Sequence, residues 1–181
     1  GVQLVVRSSL NDNEGTIVKE DTGMEKMLVS GVAVDKNATR IAVIGLKDEP
    51  GVAFRLFDAL AKYKINVDMI LQSVGRSGTK DISFTVDEED ADDALEVLKN
   101  HFPKNNYKVI DVRKEVAKLS IVGAGMQSNP GVAASMFEAL YNVGVNIRMI
   151  STSEIRVTVL IDEKYVDIAM NAVHDKFALA E

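Results

Sequence analysis

The chain of 181 residues has no Cys and no Trp, only three Pro, and 6% aromatic residues. Without Cys there is no disulfide framework, no thiol catalysis and no thiolate zinc site. That usage fits a reducing cytoplasm. No window approaches the roughly 18 uninterrupted apolar residues of a membrane span. No Lys/Arg cluster occurs, and 21 Lys plus Arg against 27 Asp plus Glu leave a net charge of −6. Neither nucleic acid nor an anionic membrane surface is therefore an expected partner. What is present is apolar substance: 46% of residues are hydrophobic, enough for a packed core. The length suits one ordinary domain or two small ones of about 70–90 residues. The start at Gly1, without a signal-peptide pattern, is expected of a fragment or a processed piece.

An internal repeat organises the chain. At an offset of 80, Pro50–Gln72 and Pro130–Thr152 share ten identities, among them Pro50/Pro130, Gly51/Gly131, Phe57/Phe137, Asn66/Asn146 and Met69/Met149. Upstream, Arg40–Gly45 (RIAVIG) pairs with Lys118–Gly123 (KLSIVG) at an offset of 78. The first copy reads as a strand over Ile41–Leu46, a turn at Asp48–Gly51 with Pro50 in the first helical turn, and a helix carrying Val52, Leu56, Phe57 and Leu60 at helical spacing. A strand over Ile65–Val74, a turn at Arg76–Gly78 and a strand over Asp81–Val86 follow. A helix over Ala91–Phe102, with Asp90 as N-cap, and a strand over Tyr107–Val112 complete a β-α-β-β-α-β unit.

The second copy gives strands at Lys118–Gly123, Asn146–Ser151 and Arg156–Ile161, and helices at Pro130–Val143 and Tyr165–Phe177. Its sixth element is missing, which would leave a sheet edge exposed. The unassigned strand-like run Leu28–Val34 is expected to close the second sheet, making the first unit an insertion within the second. Residues 1–21 belong to neither copy. There Val2–Arg7 reads as a lone strand finishing a neighbouring domain, and Asn11–Gly15 as a turn or linker.

Chemistry that makes or breaks bonds is not legible. His101 and His174 lie near helix ends, without a Cys or second His beside them, and are read as helix-end or solvent-facing groups. Asp87–Asp90 reads as a solvated helix start rather than a metal site. Gly123-Ala124-Gly125 lacks the third glycine and the βαβ unit of a dinucleotide fingerprint. No catalytic residue, metal or cofactor is assigned to this chain.

The two Pro-Gly turns are more informative. Gly51, Val52 and Ala53 open a helix, whose first N–H groups lack intrahelical partners and suit a small carboxylate. Gly131, Val132 and Ala133 repeat the arrangement. A plain strand-turn-helix connection, capped by water or Asp48, reads equally well from these residues alone.

The strand–(D/N)xPG–helix–NI/NV–strand pattern resembles the ACT domain, a ferredoxin-like regulatory module for small amino acids. The stretches 28–53, 65–74, 118–140 and 145–161, with VGAGM and ISTSEIR the most specific, resemble the tandem ACT regulatory segment of bacterial aspartate kinases. VRSSLNDNEGT (6–16) resembles the end of that family's kinase domain and its linker. The resemblance implies an α+β fold of two ferredoxin-like βαββαβ ACT units, the first (39–113) inserted in the second (28–36 plus 116–178), with 1–21 the end of a kinase domain and linker.

It further implies feedback control, by lysine, threonine or both, of an attached kinase that transfers the ATP γ-phosphoryl group to the β-carboxylate of aspartate. ATP and Mg would belong to that catalytic domain or subunit. In some members the regulatory region is also made as a small subunit starting at a Met like Met24. Effector sites between ACT units of two chains carry over to Asp48, Glu49, Pro50, Gly51, Val52 and Ala53, with Asn66, Val67, Asp68 and Gln72 on the adjoining strand. In the second unit they carry over to Val132, Ala133, Asn146, Ile147, Ser153 and Glu154. There the helix-start N–H groups would hold the ligand carboxylate, and Asp48 or Asp68 would face its ammonium. Glu49 stands where many members carry Lys, and Ala133 where a hydroxyl residue is common. The implied assembly is a cytoplasmic homodimer. The other readings are a structural dimerisation module that binds no effector, and a free-standing amino-acid sensor.

Overall fold

In the computed structural model, residues 4–6, 16–18, 29–74, 78–124, 126 and 129–179 are described. The expectations for 11–15, Met24, Arg76, Ser77 and Gly125 lie outside them. Among the described residues, ten strands form three antiparallel sheets, accompanied by four α-helices. β1 (Leu4–Val6) pairs with β2 (Thr16–Val18), so the expected lone strand has a partner.

The first unit follows the hydrophobic pattern. β4 (Thr39–Lys47) sends Ile41 and Val43 into the core. α1 (Val52–Lys62) buries Val52, Leu56, Ala59 and Leu60, one stripe at helical spacing. β5 (Ile70–Val74), β6 (Thr79–Val86), α2 (Ala91–His101) and β7 (Val109–Arg113) complete it, with sheet order β5-β6-β4-β7. α1 and α2 cover one face of the sheet, packing Leu56, Leu60 and Leu98 over Ile82 and Phe84. Each such fully buried side chain contributes roughly 1.5–3 kcal/mol through burial.

The second unit comprises β8 (Val116–Val122), α3 (Val132–Asn142), β9 (Met149–Thr152), β10 (Arg156–Asp162) and α4 (Val166–Lys176). Its sheet order is β3-β8-β10-β9, where β3 (Gly31–Asp35) pairs antiparallel with β8 from Gly31 opposite Val122 to Asp35 opposite Lys118. β3 thus stands where β7 stands in the first sheet, although it precedes the first unit in sequence. Val29, just before it, is buried in the second core.

Four local expectations need correction. The strand expected over Ile65–Val74 begins only at Ile70, and the one over Asn146–Ser151 only at Met149. Ile65 closes the end of α1, its N–H donating to Leu60 O, and Asp68 and Met69 bond to Thr85 of β6, the Met69 N–H to Thr85 Oγ1, ahead of the regular strand pairing. Pro50 lies in the turn ahead of α1 rather than in its first helical turn, because Gly51 is the residue at the N-cap. Asp90 holds the N-cap position of α2, but its side chain makes no cap hydrogen bond.

The sheets meet through a small apolar cluster of Ala38, Met69, Val116, Met149 and Leu160. Met69 and Met149 are repeat equivalents, so the two copies present the same side chain to their junction. Among the described residues no helix is long and apolar enough to cross a membrane.

Candidate functional site

The second Pro-Gly turn forms one wall of a cleft of about 440 Å³. Residues 129–133 supply that wall, and Thr152, Ser153 and Glu154 at the β9–β10 turn supply the other, with Met126 and Val157 also lining it. Gly131 makes the turn with φ 99°, a conformation L side chains rarely adopt, and Gly51 repeats it with φ 85°. The first helical bond of α3 runs from the Ser135 N–H to Gly131 O at 2.8 Å. The N–H groups at the start of α3 therefore stand at the cleft with the positive end of the helix dipole. Opposite, the Ser153 N–H donates to Arg156 O at 2.8 Å, which fixes the turn that presents Glu154.

The structure thus brings Val132, Ala133, Ser153 and Glu154 together. Asn146 and Ile147 do not join the lining: Asn146 is exposed, and Ile147 packs against the second core.

In the first unit the charged residues of the turn are engaged elsewhere. Asp48 Oδ1 lies 2.7 Å from Lys80 Nζ on β6, so it neither caps α1 nor lies free beside its N–H groups. Glu49 pairs with Arg55 across the first turn of α1. Val52 is buried and Ala53 half-buried, with Asn66 exposed and Val67 packed against the first core. Asp68 pairs with Lys118 of the second unit at 2.7 Å, so its carboxylate is not free for a ligand ammonium. Gln72 is exposed on edge strand β5, opposite Ile82, and its apolar neighbours Ile70 and Leu71 are exposed as well. The polar residue therefore does not interrupt a buried strand.

Lys118 was not among the expected site residues. Burial disfavours its charged form, but hydrogen bonds and charges from Asp35 and Asp68 outweigh that and raise its pKa above 10.5. Burial likewise opposes ionisation of Asp35, while bonds from Lys118 and the Asn37 N–H bring its pKa below 3.8. A signal existed in the repeat: Arg40 and Lys118 place a cation at matching positions inside β-branched runs. Such a charge requires partners when buried. Arg40 indeed pairs with Asp111.

The histidines stand as helix-end groups. His101, at the end of α2, shares a 2.6 Å hydrogen bond with the Tyr63 hydroxyl at the end of α1. His174 is in the last turn of α4. Among the described residues no three His, Asp or Glu are grouped to hold a metal ion.

The ACT domain family matches residues 41–102 and 119–177. The aspartokinase of Helicobacter pylori is 44% identical over 183 residues, covering 98% of this chain and 45% of that protein. The aspartokinase of Corynebacterium glutamicum is 45% identical, covering 98% of this chain and 44% of that one. The chain therefore spans under half the length of these relatives. Among solved structures, the ligand-free regulatory subunit of aspartate kinase from Thermus thermophilus superposes with a TM-score of 0.77 at 42% identity, covering 83% of this chain and 99% of that one. A structure of aspartokinase alpha and beta subunits gives a TM-score of 0.79 at 48% identity, covering 83% and 99% respectively. The chain belongs to the ACT-domain family, as a tandem ACT regulatory region of the aspartate kinase type.

Proposed function

We propose that this chain binds an end-product amino acid, lysine, threonine or both, and thereby controls an attached cytoplasmic kinase that phosphorylates aspartate. The observation that carries the reading is the cleft between the Pro130-Gly131 turn and Ser153-Glu154. At about 440 Å³ it accommodates a small amino acid. The helix-start N–H groups of Val132 and Ala133 receive the carboxylate, and Glu154 faces the ammonium. Gly51 and Ala53 offer the corresponding carboxylate site in the first unit, where the Val52 N–H already donates to Glu49 O at 3.5 Å. ATP and magnesium serve the kinase part.

Two copies assemble in this reading. Edge strands β5 and β9 expose Ile70, Leu71 and Ile150, apolar side chains that a second copy covers. Control of the kinase then requires that the effector bind one arrangement of the units better than another, since only differential affinity shifts an equilibrium.

Calorimetric titration with lysine and threonine, together with thermal melting, tests the reading. Saturable binding of at least one, with a higher melting temperature in its presence, supports it. Absence of binding by both up to millimolar concentration overturns it in favour of a structural dimerisation module.

A further inference from the structure

The side chain at the junction of the two units is a buried cation. Lys118 on β8 is 9% exposed. Its Nζ lies 2.8 Å from Asp35 Oδ2 on the neighbouring strand β3 and 2.7 Å from Asp68 Oδ2 in the first unit. Asp35 comes from Lys118's own sheet, whereas Asp68 crosses the boundary between the units.

The repeat shows that this crossing is specific. The counterpart of Lys118 is Arg40, whose partner Asp111 lies within its own sheet. The counterpart of Asp68 is Arg148, and its guanidinium forks onto Asp162 of its own unit at 3.1 and 2.8 Å. Of these equivalent ionic positions, the duplication has turned one outward. That residue stands directly after Asn66 and Val67, in the segment assigned to the first unit's effector.

The segment is firmly held on its own side. The Asp68 N–H donates to Thr85 O at 3.1 Å, and Met69 exchanges bonds with the same threonine. Toward the second unit it has the Lys118 pair and the Met69 contact. Beside them lies a polar cavity of about 230 Å³, lined among others by Asp68, Lys118, Ser120 and Thr158. Space therefore exists for the segment to shift when the pair is broken, and a buried lysine deprived of a carboxylate loses a compensating charge.

We propose that Lys118 is a positioning residue for the effector segment. Through Asp68 it sets where Asn66–Asp68 stands against the second sheet, and so couples occupancy of the first unit to the relative placement of the two units. The proposal rests on the first unit being an effector site.

The test uses the whole chain with Lys118→Met, Asp68→Asn, the double variant and Lys118→Arg. It reads amide hydrogen exchange at residues 66–69 and the affinity for lysine and threonine. Lys118→Met and Asp68→Asn are each expected to speed exchange of the Asp68 and Met69 amides by about tenfold and to weaken binding about three- to tenfold. At residues 66–69 and in affinity the double variant is expected to match the singles, because both remove the Lys118–Asp68 tie, although Lys118→Met also takes away the Asp35 pair within the second sheet. Lys118→Arg is expected to retain wild-type behaviour. If Lys118→Met fails to fold, Asp68→Asn carries the exchange measurement, since Asp68 itself is exposed. Unchanged exchange in the folded variants overturns the tie. Weakened binding in Asp68→Asn but not in Lys118→Met also overturns it, because Asp68 then touches the ligand itself. If the wild-type chain binds neither amino acid, the effector reading fails, while the exchange data still decide whether the tie exists.

Discussion

Asp48 and Lys80 form an ion pair at 2.7 Å, in which the lysine side chain is 14% exposed and the aspartate 51%. The pair fastens the loop before the first Pro-Gly turn to strand β6, and the Asp48 N–H reinforces it by donating to Gly78 O. Asp48→Ala leaves a mostly buried ammonium without its partner. The expected cost is about 1 kcal/mol, or a melting temperature lower by roughly 2–4 °C. Affinity for lysine or threonine is expected to change less than about threefold, because Lys80 already neutralises this carboxylate. Melting and titration of the same variant check both numbers. A large affinity loss with unchanged melting would restore Asp48 as the ammonium partner.

Gly45 interrupts the pairing of β4 with β6, where the register shifts between Val43 and Leu46. Its φ is +74°, its N–H donates to Asp81 Oδ1 at 2.7 Å, and an added Cβ would stand 2.6 Å from Lys108 Cγ. Gly45→Ala therefore combines backbone strain with a steric conflict and should destabilise by roughly 1–3 kcal/mol. Urea denaturation measures this directly. A loss below about 0.5 kcal/mol would mean that the bulge rearranges without strain.

The helices and the hairpin strand were legible because their core residues are periodic: Val52, Leu56 and Leu60 repeat at helical spacing, and Ile82, Phe84 and Val86 alternate into the first core. Residues 65–69 misled for the same reason. Ile65 and Met69 are buried and Val67 packs on the first core, so the stretch alternates as a strand does. Their burial, however, comes from the end of α1 and from the junction between sheets, which periodicity cannot distinguish from strand pairing. The bulge at Gly45 needed the identity of the opposing residue, Asp81. At the site, the Pro-Gly turns and Ser153-Glu154 could be read from a motif. The roles of Asp48 and Asp68 could not, because their partners are remote: Lys118 lies 50 residues from Asp68. Pattern within one element carries no information about which charge will arrive from another.

Acid sensitivity has a definite sign. Hydrogen bonds from Arg148, together with its charge, hold Asp162 below its ordinary 3.8 despite partial burial, and Asp35 is lowered as well. A carboxylate with a depressed folded pKa contributes stability above its unfolded value and loses it as pH falls through the folded value. Lys118, raised above 10.5, contributes below its unfolded value and loses that only as pH rises through the raised one. These groups should leave stability level between about pH 6 and 9 and reduce it below about pH 4. Melting curves of wild type and Asp162→Asn from pH 6 to 3 provide the check. The variant should be less stable at pH 6 and lose less on acidification; equal losses would show that Asp162 does not contribute to the acid response.

Glu154 carries the sharpest prediction about the effector. It lies at the β9–β10 turn, is exposed, and lines the cleft opposite the start of α3. Among the described residues no ion pair holds it, in contrast to Asp48, Glu49 and Asp68. A zwitterion with its carboxylate on the N–H groups of Val132 and Ala133 projects its ammonium across the cleft toward that side chain. Glu154→Gln keeps the shape and removes the charge. Because no described ion pair depends on that charge, stability should stay within about 0.5 kcal/mol of wild type. Binding should weaken by about ten- to a hundredfold, which corresponds to roughly 1.4–2.8 kcal/mol for one charge-assisted contact. The loss should shrink as salt is raised, since screening weakens a partly exposed ion pair. Calorimetry at low and high salt, with melting on the same samples, separates the outcomes. Unchanged affinity would remove Glu154 from the site, and a salt-independent loss would assign it to hydrogen bonding rather than to charge.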